Sequence, residues 1–217
     1  MYFQFLIEDQ SGEKLIRILM DKIVATNTDV TYDCKSFGGI GDLPKSGSAK
    51  DIKTGKLLND LPMNLRAFSR KLLGMPAAIF VVLDNDTRNP EEFRQQLERV
   101  AQHNMIVTDH VFCLAIEEME AWLLGDEVAI LTAYPKASLR HLHAYQQDGI
   151  CGTWEVLADV VYPGGYKRMK KDCCAYAQIG KLKSEWAQRI GEHMELHRNV
   201  SPSFQQFVSE VEKRIVC

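Results

Sequence analysis

The chain has 217 residues, 46% of them hydrophobic and 25% charged, with a net charge of −3. That is enough apolar material for one domain of ordinary size, and too much for a disordered chain. It also excludes a generally basic nucleic-acid binder, although a local basic patch is still allowed.

No apolar run reaches the ~18–20 residues of a membrane helix. The start, Met1-Tyr2-Phe3-Gln4-Phe5-Leu6-Ile7, has no basic leader and no small-residue cleavage site, so no signal peptide is expected. The six cysteines (Cys34, Cys113, Cys151, Cys173, Cys174 and Cys217) are scattered, without a CxxC pair. They read as reduced thiols of a cytoplasmic protein.

In chain order, residues 2–7 read as a buried strand ending in Glu8-Asp9-Gln10-Ser11-Gly12. Leu15, Leu19 and Ile23, flanked by Ile16 and Met20, form the stripe of a first helix. Residues 29–37 suit a second strand. Residues 38–61 hold five glycines and no periodicity, and are expected to be a long functional loop. A helix is expected from Asn64 to Leu73, closed by Gly74 and Pro76. Ala77–Leu83 is apolar on both faces, as in the centre of a parallel sheet, and runs into Asp84-Asn85-Asp86. Asn89-Pro90-Glu91-Glu92 is a strong helix start, with Phe93, Leu97, Val100 and Ala101 on its buried side. Val111–Ile116 is a further buried strand, followed by Glu117-Glu118 and a short helix that carries Glu120, Trp122 and Leu124 up to Gly125.

This alternation predicts an α/β fold with a mostly parallel, Rossmann-like sheet of about four or five strands, flanked by helices. Beyond a soft boundary near 126, residues 126–217 read as a mainly helical C-terminal annex packed on the 1–125 core. Within it Trp186, Ile190, Met194 and His197 share a helical face, Ser201-Pro202-Ser203 opens a last helix, and 145–180 looks irregular.

Three strands thus end in carboxylates: Glu8, then Asp84 and Asp86, then Glu117 and Glu118. Ligands of open parallel sheets bind outside the carboxyl ends of the strands. Asp84 and Asp86, two apart in an extended chain, would point the same way and share one cation. Crowded carboxylates repel, and a hard divalent ion removes the conflict. Oxygen-only ligation favours Mg²⁺ or Mn²⁺ over zinc. Glu117 and Glu120, three apart, would share a helical face and hold a second ion.

Phe5-Leu6-Ile7-Glu8 followed much later by Val81-Val82-Leu83-Asp84-Asn85-Asp86 resembles the Toprim domain of topoisomerases, bacterial primases and the "overcoming lysogenization defect" nucleases. Ile116-Glu117-Glu118-Met119-Glu120-Ala121-Trp122-Leu123-Leu124-Gly125 and Ser201-Pro202-Ser203-Phe204 look like small stand-alone Toprim-like proteins encoded beside an ATPase. One departure is the glycine near the first glutamate, displaced to Gly12. The resemblance implies Asp84 and Asp86 as Mg²⁺ ligands and Glu8 as acid/base or further ligand in phosphodiester chemistry. It also implies a DNA or RNA substrate, an ATPase partner and a role in phage defence. A homodimer is compatible with the chain.

Other readings carry less. Asp84-Asn85-Asp86-Thr87 also fits the first motif of haloacid dehalogenase-like phosphatases, but the later Gly-Asp-x-x-x-Asp is lacking, with Ile130 in place of its last aspartate. A non-catalytic metal- or nucleotide-binding module regulating an ATPase is the rival from another class. Gly47-Ser48-Ala49-Lys50 and Thr54-Gly55-Lys56 mimic a phosphate loop with the wrong spacing. His193 and His197 lack the glutamate of a zinc protease helix. From Tyr162 to Arg198 there are eight Lys and Arg against four Asp and Glu. Lys167, Arg168, Lys170 and Lys171, with Lys181 and Lys183 further on, are the candidate nucleic-acid contacts.

Overall fold

The computed structural model describes residues 1–44, 53–173 and 175–215. Gly47–Lys50, Cys174 and Cys217 lie outside the described residues. The chain runs β1 (Tyr2–Ile7), α1 (Gln10–Thr26), β2 (Thr31–Ser36), α2 (Leu57–Lys71), β3 (Ala77–Asp84), α3 (Pro90–His103) and β4 (Asp109–Ala115). Seven helices follow: α4 (Glu120–Leu124), α5 (Glu127–Ala133), α6 (Leu139–Ala144), α7 (Thr153–Val161), α8 (Gly165–Asp172), α9 (Tyr176–Gly191) and α10 (Pro202–Ile215).

The four strands are all parallel, in the order β2-β1-β3-β4. This is the expected α/β, Rossmann-like arrangement. Successive side chains of a strand face opposite sides, and both sides here are apolar. Phe3, Phe5, Ile7, Phe80 and Val82 face a cluster built with α1, α9 and α10. Leu6, Ile79, Val81, Leu83 and Leu114 face α2 and α3. The chain moves one way from β1 to β2 and the other way from β2 through β3 to β4. Right-handed crossovers therefore place α1 on one face and α2 and α3 on the other.

Residues from both sides of position 126 share the first cluster. Phe207 of α10 stacks on Trp122 at 5.1 Å and meets Phe5 and Phe80 of the sheet at 6.3 Å. The Trp122 indole N–H donates to Ser203 Oγ at 2.9 Å. Gly125 is required here, because a Cβ would stand 2.0 Å from Asn199 Oδ1.

Three expectations about elements are corrected. Helix α2 starts at Leu57, seven residues before Asn64, and carries Pro62 inside it. Burying Leu57, Leu58, Leu61 and Leu65, each worth roughly 1.5–3 kcal/mol, exceeds the ~3 kcal/mol of an interior proline. Asp60 fixes the entry by accepting the Thr54 and Gly55 N–H groups, each at 2.9 Å. The segment 145–180 is not irregular, since it holds α7, α8 and the start of α9. Helices this short have little intrinsic stability and leave a weak pattern. Tertiary contacts hold them: the start of α7 donates its N–H groups to the Glu117 carboxylate. The expected face of Trp186, Ile190 and Met194 is buried, but α9 stops at Gly191 and His197 instead pairs with Glu212 at 3.1 Å.

Phe207→Ala should cost about 3–5 kcal/mol. Urea unfolding of the variant measures it, with loss of the Trp122 and sheet contacts as the cause.

Candidate acidic site at the carboxyl edge of the sheet

β1 and β3 are neighbours, and their crossovers leave towards opposite edges of the sheet. Their carboxyl ends therefore flank the topological switch point, where open α/β sheets bind ligands. Glu8 follows β1, and Asp84 ends β3. The Glu8 carboxylate accepts the Asp84 N–H at 3.1 Å, and Asp84 Oδ1 accepts the Met119 N–H at 2.9 Å. Asp9 caps α1, accepting from Gly12 N at 2.7 Å and from the Ser11 hydroxyl. Gly12 allows that turn to lie against β1: a Cβ there would stand 3.0 Å from Ile7 Cγ2. The displaced glycine thus serves the close approach of helix and strand.

Asp86 does not share a direction with Asp84. The extended chain stops at Asp84, and Asp86 turns into the left-handed region with φ of 49°. Its N–H donates to Glu117 O at 2.9 Å, and its carboxylate pairs with Arg88, partly in solvent. Glu117, with φ of 61°, is turned outward as well. Its carboxylate accepts the N–H groups of Cys151 at 3.0 Å and of Gly152 and Thr153 at 2.9 Å each, plus the Thr153 hydroxyl. Glu117 thus holds the start of α7, and although burial opposes ionisation, those donors keep its carboxyl below the usual range. The expected Glu117–Glu120 pair does not form, because α4 begins only at Glu120.

The residue that joins Glu120 is Glu118. Lys183 of α9 lies 3.3 Å from Glu120 Oε2 and 3.5 Å from Glu118 Oε1. Glu118 also accepts the Trp154 N–H at 3.1 Å. The Glu120 side chain is only 5% exposed. Glu118 and Glu120 thus flank one ammonium, whose charge also acts on Asp84 and Glu8. Burial, then the Glu8 and Glu120 charges, push Asp84 well above the ordinary aspartate value. Burial lifts Glu8 to about 7, helped by Asp9 and Asp86 and opposed by the Asp84 N–H. Burial also lifts Glu118 to about 7, with Lys183 opposing and Glu120 assisting. Burial pulls the Lys183 amine down, but Glu120, Glu118 and Asp84 together hold it above the usual lysine range.

A cleft of about 920 Å³ opens on this cluster, with Glu8, Glu118 and Lys183 at its base and Lys14, Trp154 and Lys181 among its walls. Lys167, Arg168, Lys170 and Lys171 lie exposed on α8, where Arg168 pairs with Asp172 at 2.8 Å. Lys183, expected as a phosphate contact, is instead the counter-charge of the acids. Of the expected loop 38–61, residues 57–61 belong to α2 and 45–52 lie outside the described residues; Gly38 and Gly39, with Phe37 before them, border the cleft.

The donor chemistry of Glu8, Asp84, Glu118 and Glu120 suits a hard divalent cation. Among the described residues no group of three or more His, Cys, Asp or Glu is arranged to hold a metal ion. Backbone N–H groups and Lys183 engage these carboxylates in the arrangement seen. Glu118 was visible in sequence as a strand-end acid, but the helical spacing favoured Glu117. The Lys183 partnership had no local signal, because its acids lie far away in the chain. No helix among the described residues is long and apolar enough to cross a membrane.

A family model described as a domain of unknown function (DUF4276) matches residues 7–212. No curated protein and no solved structure matches the chain.

Two outcomes follow from the electrostatics. Glu8 and Glu118 are protonated more readily in the fold than their ordinary value of 4.5 allows. Their favourable contribution is therefore complete below about pH 4.5 and lost as pH rises through about 7. Urea unfolding between pH 5 and 8 should show stability falling across that window, and Glu8→Gln should flatten the fall and be the more stable protein at pH 8. Lys183→Met should cost about 3–5 kcal/mol at pH 8 by leaving the acids uncompensated. The loss should shrink at pH 5.5, where the acids take up protons, and in millimolar Mg²⁺ if a cation replaces the amine.

Proposed function

The chain belongs to the DUF4276 family, and we propose that this member is a Mg²⁺-dependent (or Mn²⁺-dependent) Toprim-like phosphodiester hydrolase acting on nucleic acid. One observation carries the reading. The Glu8 carboxylate, just after β1, accepts the backbone N–H of Asp84 at the end of the adjacent strand β3, at the switch point, and Glu8 is lifted to about 7 beside an open cleft.

In this reading Asp84, Glu120 and Glu118 would hold the cation, with Asp86 and Glu117 outside the ligand set. The cation, when bound, neutralises charge on the phosphate oxygens and lowers the pKa of water. Glu8 supplies what a general base needs, a proton affinity near the working pH at the base of an open cleft. Its Oε2 is oriented by the Asp84 N–H, so the carboxylate is fixed relative to its neighbour. Lys183 pairs with Glu118 and Glu120, the charge that a cation held there would have to replace. The left-handed residues Asp86 and Glu117 each cost about 1–3 kcal/mol, a kind of strain that clusters at working sites.

The Lys183 ion pairs also favour a second reading, in which the cluster is closed by the amine and the chain acts as a non-catalytic module beside an ATPase. Metal-dependent cleavage separates the two. Plasmid nicking and cleavage of single strands, with the purified chain alone and with an ATPase encoded beside it, should require Mg²⁺ or Mn²⁺. The rate should rise with pH as Glu8 loses its proton, and fall about 10²–10⁴-fold in Glu8→Gln. Equal cleavage by wild type, Glu8→Gln and Asp84→Asn would sink the hydrolase. No cleavage in any arm would leave the module.

A further inference from the structure

The cleft says more about its substrate than the acids do. Its floor is recessed: the Lys183 and Glu118 side chains are 19% and 21% exposed, and Glu120, paired with Lys183, is buried behind them. Its rim carries cations. Lys14 and Lys181 line it and make no ion pair among the described residues, whereas Glu185, also on the rim, is paired with Arg189 at 3.1 Å. One wall is aromatic. The partly buried Trp154 lies edge-to-face with Tyr166 of α8 at 5.2 Å, and Lys170 Nζ stands 5.8 Å from the Tyr166 ring. Trp154, Tyr166 and Lys170 therefore form a row leading from the cleft to the basic face of α8, where Lys167 is also exposed.

We propose that this cleft and row form a binding track for a single-stranded polynucleotide, with phosphates on Lys14 and Lys181 and a base stacked on Trp154. The proposal rests on the hydrolase reading for what happens to the strand, but not for its binding. Alternating cations and aromatic faces are what a flexible strand with unstacked bases recognises, whichever the sugar. A duplex hides its base faces and is stiff over about 150 base pairs. Its backbone does not fold into a recess whose acids lie at the bottom. Flexibility also explains why the aromatic row continues onto α8: a strand leaving the cleft meets Tyr166 and then Lys170 and Lys167.

Fluorescence anisotropy tests this with the full chain in EDTA, where no cleavage occurs. The probes are labelled oligothymidylate, oligouridylate and a mixed-sequence duplex of equal length. At least one single strand should bind about tenfold or more tighter than the duplex, the two oligomers telling whether the sugar is read. Trp154→Ala should weaken that binding about tenfold and Trp154→Phe should restore most of it. Lys181→Ala, an exposed change, should lower the slope of affinity against salt by about one charge. Circular dichroism confirms that each variant folds, and Lys181→Ala decides the case if Trp154→Ala does not. A duplex bound as tightly as either strand, an unchanged salt slope in Lys181→Ala, or no binding of any probe overturns the track. Strand binding with no cleavage after Mg²⁺ is added overturns the hydrolase and leaves the track standing. Cleavage confined to duplex overturns the track and leaves the hydrolase.

Discussion

The interaction on which the site depends is the Lys183 ammonium among buried acids. Four carboxylates at the carboxyl edge of the sheet repel one another, and removing them from water adds to the cost. One amine from α9, 3.3 Å from Glu120 and 3.5 Å from Glu118, makes their proximity tolerable. The same helix packs along α1, whose first turn is capped by Asp9, the immediate neighbour of Glu8. Lys22 of α1 binds the carbonyls of Gly191, Glu192 and Met194 at the end of α9. The C-terminal helices therefore do more than cover an apolar face. They bring the counter-charge without which the acids could not be gathered.

Backbone conformation decides which acids gather. After β3 and β4 the chain makes an isolated antiparallel bridge between Asp86 and Glu117, and both residues take left-handed φ. That bridge turns two of the five strand-end acids away and leaves Glu8, Asp84 and Glu118 with Glu120. Glu117 then becomes a structural residue. Its four accepted hydrogen bonds tie the strand end to α7, and α7 carries Trp154 to the cleft wall. One displaced carboxylate thereby links the acid cluster to its aromatic side.

How much of this was legible in the sequence follows from the range of the forces involved. The sheet was readable because Ala77–Leu83 and its neighbours are apolar on both faces, and because helices and strands alternate with clear caps such as Asn89. The location of the site was readable too, since acids directly after buried strands must meet at one edge of a parallel sheet. Its composition was not. Period-two spacing predicted that Asp84 and Asp86 agree in direction, and the turn at Asp86 broke the period. Helical spacing paired Glu117 with Glu120, and the helix began too late for it to apply. The start of helix α2 was missed because residues 38–61 show no sustained periodicity, while the burial of Leu57, Leu58 and Leu61 that sets it depends on packing against the sheet. Lys183 was noticed for its charge, and only the fold reveals that its partners are acids.

The charge pattern also links the two binding events proposed for the cleft. Its floor holds Glu8 and Glu118, and its rim carries Lys14 and Lys181, with Asp9 engaged in the α1 cap and Glu185 paired to Arg189, so a polyanion meets attraction at those lysines and repulsion at the base. Lys183 offsets only part of that repulsion, because its charge is already shared by Glu118, Glu120 and Asp84. A strand held by Lys14, Lys181 and the Trp154 row would settle a phosphate onto the floor only after a divalent cation had joined the acids. Strand and cation would then each raise the affinity for the other, as reciprocal coupling between two sites requires. The rim would give attachment without the metal, and the floor would give chemistry only with it.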